Sequence, residues 1–195
     1  MQFQFKIQIK GSTKPPVWRR LSIPANYSFH DLHIAIQVTF GWDNAHLFQF
    51  SPKGYESNPI IKEIYEDNAD YGFEDALDSE EVDLSEIFTK EKQKFTYIYD
   101  FGDSWEHTIT LEKILPDIAM YPMLLDGKGK CPMEDCGGIW GYEQLKETLS
   151  DKTKPEYEEM AEWCGLEKNE TWDPEEFNLN ETQKYLIEVF LVNKN

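Results

Sequence analysis

Phe95-Thr96-Tyr97-Ile98-Tyr99-Asp100-Phe101-Gly102-Asp103-Ser104-Trp105-Glu106-His107-Thr108-Ile109-Thr110-Leu111 lies at the middle of the chain. Its first part, 95–101, is aromatic and β-branched, and 105–115 alternates, with Gly102-Asp103 between them. Two such runs about a glycine-containing turn predict a β-hairpin. With Gly102-Asp103 as a two-residue loop, Phe101 faces Ser104 and Ile98 faces His107. Asp100, Trp105, Ile98 and His107 then share one face, and Tyr97, Tyr99 and Glu106 the other. A three-residue loop would change this pairing.

Outward from the hairpin, Phe3, Phe5, Ile7 and Ile9 alternate with Gln4, Lys6 and Gln8, which predicts a half-buried strand. Residues 11–16 form a turn, and Val17 to Ile23 read as a second strand, broken by Pro24-Ala25-Asn26. Ser28 with Asp31 is a capping-box-like start for a helix that buries Leu32, Ala35, Ile36 and Phe40 and ends at Gly41. His46 to Phe50 looks like a third strand, giving a β-β-α-β start. Between Glu56 and Glu91 there are thirteen acids and two lysines. That composition predicts an excursion of loops and short helices over 55–94, with Leu84, Ile87 and Phe88 as an anchor behind a cap at Asp83 or Ser85. The C-terminal third reads as helical: Tyr142, Leu145 and Leu149; then Tyr157, Met160, Ala161 and Cys164 up to Gly165; then Tyr185, Leu186, Val189 and Phe190 behind Asn180. The expectation is one α+β domain over residues 1–195, with a mixed or antiparallel sheet packed against helices.

The chain has 195 residues, a hydrophobic fraction of 40% and a net charge of −18. No apolar run approaches the roughly 18 residues of a membrane span, so no membrane contact is expected. The first fifty residues carry +3 and the rest −21. Affinity for nucleic acid rests on clustered cations, so this balance argues against generic duplex DNA as a partner and leaves only a local basic patch at Arg19-Arg20. Three cysteines, Cys131, Cys136 and Cys164, behind an N-terminus that alternates from the start, point to a reducing, cytoplasmic setting.

Asp100, Asp103, Trp105 and His107 crowd one hairpin, with His46 and Arg19 as wall residues of a candidate site. A histidine beside a carboxylate can act as a general base or hold a metal. The structural alternative has the aspartates shaping the turn, Asp100 paired with Arg19 or Arg20, and His107 in the core. The Asp-Phe-Gly triplet at 100–102 has none of the glycine-rich phosphate loop or strand lysine of a kinase. Cys131 and Cys136 have a spacing that zinc pairs use, but no histidine is near in sequence and Cys164 is the only other thiol. The leading reading is a turn in which Gly137-Gly138 lets the backbone pass close to a neighbour, with the cysteines reduced and no metal or cofactor.

Together, Pro15-Pro16-Val17-Trp18-Arg19-Arg20-Leu21; Asp31-Leu32-His33 with Gly41-Trp42 and His46-Leu47; the hairpin from Tyr97 to His107; and Asp126-Gly127, Cys131-Pro132, Glu134-Asp135-Cys136-Gly137-Gly138 and Gly141-Tyr142 make a distinctive set. The set resembles the plasmid pRiA4b Orf-three-like family and runs from about Phe3 to Phe190. The resemblance implies a passenger protein of plasmids and mobile elements, some relatives being named resolvase-like, and it carries no catalytic residue onto this chain. Members often have a histidine where Phe48 stands, and His-Pro-Glu-His where Lys154-Pro155-Glu156-Tyr157 stands. Those departures weaken a metal role for Cys131 and Cys136. Recombinase chemistry needs several arginines around one phosphate, whereas Arg19 and Arg20 are the only two and point to opposite faces of a strand. The sequence favours a non-catalytic binding or accessory module for a protein or small-molecule ligand, with a cleft lined by Trp18, Trp42, Trp105 and Trp140. The alternative is a hydrolase-like or metal-dependent enzyme centred on His107 and Asp100.

Overall fold

The alternation that opens the chain becomes β1 (Gln2–Ile9), whose odd residues are buried and whose even residues are half-buried. The computed structural model describes residues 1–64, 75–117 and 120–193. The middle of the acidic excursion, 65–74, lies outside the described residues. After β1 come β2 (Trp18–Pro24), α1 (Phe29–Phe40), β3 (Phe48–Ser51), β4 (Ile61–Lys62), β5 (Leu77–Asp78) and α2 (Leu84–Ile87). Then follow β6 (Lys94–Tyr99), β7 (Trp105–Leu115), β8 (Met123–Lys128), α3 (Gly138–Leu149), α4 (Tyr157–Trp163) and α5 (Leu179–Asn193). The strands form one sheet in the order β5-β4-β3-β6-β7-β1-β2-β8. Every pairing is antiparallel except β4 with β5. The fold is α+β, with the N-terminal strand and the central hairpin in the same sheet.

Helix α1 starts where the sequence places it. Ser28 and Asp31 exchange the two bonds of a capping box at 3.1 Å each, and Gly41 closes the helix at φ 79°. Its first residue, Phe29, meets Phe50 on β3, Phe95 on β6 and Phe88 after α2. Phe88 in turn packs on Phe5 of β1 at 4.7 Å between ring centroids. Each such phenylalanine, taken fully out of water, contributes about 1.5–3 kcal/mol. Tyr27, just before α1, stacks on Phe190 of α5.

Two local readings need correction, and one strand was not anticipated. β3 begins at Phe48, so His46 sits on the preceding loop rather than on a strand. The hairpin loop has five residues, Asp100–Ser104, and pairs Tyr97 with His107 and Tyr99 with Trp105. Tyr97, Tyr99, Trp105 and His107 therefore share the buried face, and Ile98 lies opposite Glu106. The reason is that Asp100 and Ser104, not Gly102, take the left-handed conformation, each at φ 54°. The Asp100 carboxylate accepts from Gly102 N at 2.9 Å, and the Asp100 carbonyl accepts from Ser104 N at 2.6 Å. Residues 123–128 pair with β2 as an edge strand that composition does not announce.

The adjacent arginines do point to opposite faces. Arg19 is only 3% exposed. It donates to the carbonyls of Thr39 (2.8 Å), Trp18 (2.9 Å), Lys128 (3.0 Å) and Gly129 (3.2 Å) and stacks 3.9 Å from the Phe177 ring centre. Arg20 pairs with Glu112 at 2.7 Å and Asp126 at 2.9 Å on the outer face. Neither meets Asp100, and the expected basic patch is not formed by this pair.

Candidate functional site

The loop after α1 is built around Trp42. Its ring stacks on Tyr99 at 5.0 Å, and its indole N–H donates to the Pro132 carbonyl at 3.0 Å. That bond ties residues 41–47 to residues 131–137. Asn44, at φ 56°, is held by two bonds: its N–H donates to Gln37 Oε1 at 3.1 Å, and its Oδ1 lies 2.7 Å from His33 Nε2. An amide oxygen can only accept, so His33 carries its proton on Nε2, and Nδ1 receives the Tyr97 hydroxyl at 2.8 Å. The next turn presents His46 to the loop end of the sheet.

Glu134 is the hub there. Its Oε1 accepts from the Tyr99 hydroxyl and from Asp43 N, each at 2.8 Å. The Tyr99 oxygen also accepts from Ala45 N at 3.0 Å. His46 Nε2 lies 3.3 Å from Glu134 Oε2 and 3.6 Å from Asp135 Oδ1, and Nδ1 lies 3.8 Å from Asp100 Oδ1. Among the described residues, these carboxylates form no ion pair with lysine or arginine. Asp103 closes the assembly: its Oδ2 accepts from Gly137 N at 3.1 Å, at the start of α3. Gly138 must be glycine, because a Cβ there would stand 2.4 Å from the Asp103 carbonyl at φ +65°.

The six residues expected to form a site therefore divide. Asp100, Asp103 and His46 converge at the loop end, while Trp105, His107 and Arg19 are in the core. His107 is 0% exposed. Phe40, Trp42 and Tyr97 rings stand 5.1–5.2 Å from it. Its Nδ1 donates to the Trp105 carbonyl at 2.9 Å, and burial pushes its pKa down to about 3. Such an imidazole is neutral, sealed from solvent and badly placed to act as a base, and it does not form a pair with Asp100. The expected tryptophan cleft also divides: Trp42 and Trp105 are buried, Trp18 faces Lys6 and Arg20 on the outer face, and Trp140 is 84% exposed. Glu134, Asp135 and Tyr99 are residues that sequence reasoning did not place in the site. The signal was present in the run Glu134-Asp135-Cys136, whose acids were overshadowed by its thiol.

The chain matches the family model described as plasmid pRiA4b ORF-3-like protein over residues 1–181. It belongs to the plasmid pRiA4b ORF-3-like family. It is 36% identical, over 154 residues, to the uncharacterized protein y4hQ of Sinorhizobium fredii, covering 78% of this chain and 75% of that one. It is also similar to the crystal structure titled as a protein of unknown function, MM3350, from Methanosarcina mazei Go1. The TM-score is 0.76 at 34% identity, covering 92% of this chain and 95% of that one. The stretches that carry the family resemblance in sequence, Gly41-Trp42, His46-Leu47, the hairpin tip and 131–138, meet in space at the His46 cluster.

One chemistry available to this family member there is the holding of a cation. One ligand atom each from His46, Asp100 and Asp135 lie within 4.8 Å of one another. That is the span of opposed ligands around a divalent cation with bonds of about 2.4 Å. The thiols do not join this set: burial raises the Cys131 pKa, and pushes that of Cys136 up to about 12. No described helix is long and apolar enough to cross a membrane.

Proposed function

We propose that this plasmid pRiA4b ORF-3-like protein is a non-catalytic binding module whose recognition surface is the acidic loop end formed by 41–47, 100–104 and 131–137. The observation that carries the reading is His46 set among carboxylates from two other segments, 3.3–3.8 Å away, with the hairpin's histidine withdrawn into the core. Carboxylates without a lysine or arginine partner recognise cations, so the ligand is a lysine- or arginine-bearing segment of a protein partner. Generic duplex DNA does not fit: the chain carries −18, Arg19 is spent on backbone carbonyls and Arg20 on acids. A cytoplasmic setting fits the three free thiols, and an accessory role alongside plasmids fits the family's name.

Fluorescein-labelled heptalysine tests this by anisotropy. Binding should weaken with added salt and fall several-fold in Asp135→Asn, a residue 77% exposed and therefore safe for folding. The protein should turn over neither p-nitrophenyl acetate nor p-nitrophenyl phosphate. Turnover lost in Asp100→Asn, or heptalysine binding unmoved by Asp135→Asn, would overturn the reading. The 4.8 Å spacing of His46, Asp100 and Asp135 favours a divalent cation as a second reading. Manganese added to chelator-treated protein should then raise the melting temperature, and His46→Ala should abolish that rise.

A further inference from the structure

From the cleft between α3 and α4 we infer a docking site for a basic amphipathic segment of a partner protein, one that inserts a bulky apolar side chain and lays lysines or arginines on the rim. The inference deepens the acidic loop-end reading and rests on it, since Asp135 lines both.

The cleft follows from two facing stripes. On α4 and its N-cap, Glu156, Glu159, Met160 and Trp163 fall at i, i+3, i+4 and i+7. Opposite them on α3, Gly141, Leu145 and Thr148 fall at i, i+4 and i+7. Residues so spaced share one face of a helix. Between the stripes is a cleft of about 410 Å³, within the range that buries small ligands and side-chain anchors. Its floor is apolar: Leu145 is buried, Met160 half-buried, and Gly141 contributes no side chain because a Cβ there would meet the Cys136 carbonyl at 1.7 Å. Its mouth holds Trp163, 46% exposed. A methionine on the floor and a tryptophan at the mouth of an open cleft are side chains that a partner's anchor packs against.

Charge selects the occupant. The lining holds the carboxylates of Asp135, Glu156 and Glu159 and no lysine or arginine. Among the described residues, neither Glu156 nor Glu159 is in an ion pair. On the far side of α3, Trp140 stands 84% exposed, but there Lys146 pairs with Glu143 and Lys154 with Glu147, so that face lacks the unpaired acidic rim of the cleft. A second copy of this chain, at −18, is repelled from such a rim. A segment with apolar residues on one face and cations beside them satisfies both the floor and the rim, in the helix-in-groove mode.

The test uses two labelled peptides of equal charge. One is a 14-residue lysine–leucine peptide with leucines at helical spacing; in the other, serine replaces every leucine. Anisotropy titrations would be run on the full chain and on Met160→Gln, Trp163→Ala and Asp135→Asn, each checked for an unchanged melting temperature. The expected result is that the leucine peptide binds at least tenfold tighter than the serine peptide. Met160→Gln and Trp163→Ala should each remove most of that advantage while leaving the weak serine-peptide binding intact. If the two peptides bind alike, or the leucine advantage survives both cleft variants, the cleft inference fails. In that case serine-peptide binding that still falls in Asp135→Asn leaves the acidic loop-end reading standing. If neither peptide binds, both readings fail together.

Discussion

Lowering the pH should destabilise the protein well before its carboxylates titrate, because two histidines are folded into the core as neutral rings. His33 and His107 are both 0% exposed, and burial pushes the pKa of each down to about 3. In the unfolded chain a histidine titrates near 6.5. Below pH 6.5 the unfolded state therefore binds two protons that the native state refuses, and stability falls as pH falls; above about pH 7 the two contribute nothing to the slope. Each costs about 1.4 kcal/mol per pH unit below 6.5, so at pH 5 each has removed about 2 kcal/mol, and together about 4. A typical total is about 5–15 kcal/mol. For a chain of this size that loss is a fall in melting temperature of about 8–16 °C. Glu112 lies outside this window. Arg20 holds its carboxyl below its ordinary value, so what it contributes is present above about pH 4.5 and is lost only in stronger acid. Falling net charge acts in the opposite direction by easing self-repulsion.

Urea unfolding followed by circular dichroism between pH 7.5 and 5.2 measures this, and His107→Leu isolates one ring. Whatever that variant costs at pH 7.5, below pH 6.5 its stability should fall at a rate about 1.4 kcal/mol per pH unit shallower than the parent's, and above pH 7 the two curves should run parallel. A parent curve flat over this range, or a His107→Leu curve parallel to it below pH 6.5, would refute the placement of His107 as a neutral core residue.

Arg19→Leu should cost about 3–5 kcal/mol in urea, because four carbonyls lose a buried cationic donor, whereas Arg20→Ala should cost under about 1 kcal/mol as a surface pair. Gly138→Ala should destabilise by at least about 1–3 kcal/mol through the clash with Asp103; Gly54→Ala, with open space but φ +83°, should cost only about 1 kcal/mol. Ellman's reagent at pH 8 should react slowly with the native protein, since burial raises the pKa of all three thiols, and should titrate three thiols rapidly in urea.

The sequence exposed what short-range patterns control. The alternation of β1, the Ser28–Asp31 box and the glycine that ends α1 depend on residues within a few positions of one another, and all three appear where the pattern puts them. The hairpin's existence was legible and its register was not. Register rests on which residues adopt positive φ, and Asp100 and Ser104 do so through bonds within the loop that glycine placement does not reveal. That one slip carried His107 from the site to the core. The edge strand at 123–128 was hidden for a different reason: its residues are largely exposed, so it lacks an alternating pattern. Arg19 misled because a buried cation satisfied by carbonyls looks, in sequence, like a cation available for a ligand.

The register that buries His107 also shapes the loop end. With Tyr97, Tyr99, Trp105 and His107 all turned inward, the hydroxyl of Tyr99 emerges beneath the loops and binds both Ala45 N and Glu134. Glu134 is thereby fixed by neutral donors, so its charge is not cancelled by the bonds that hold it. Asp100 is fixed likewise by Gly102 N, and Asp103 by Gly137 N. A catalytic pair needs a base able to gain and lose a proton against its neighbour, and the hairpin's histidine, neutral in a dry core, cannot do that. Carboxylates locked by neutral bonds and facing one half-exposed histidine supply a fixed negative field in a fixed shape. Such a field costs little reorganisation when a cation arrives, as the proposed binding role requires.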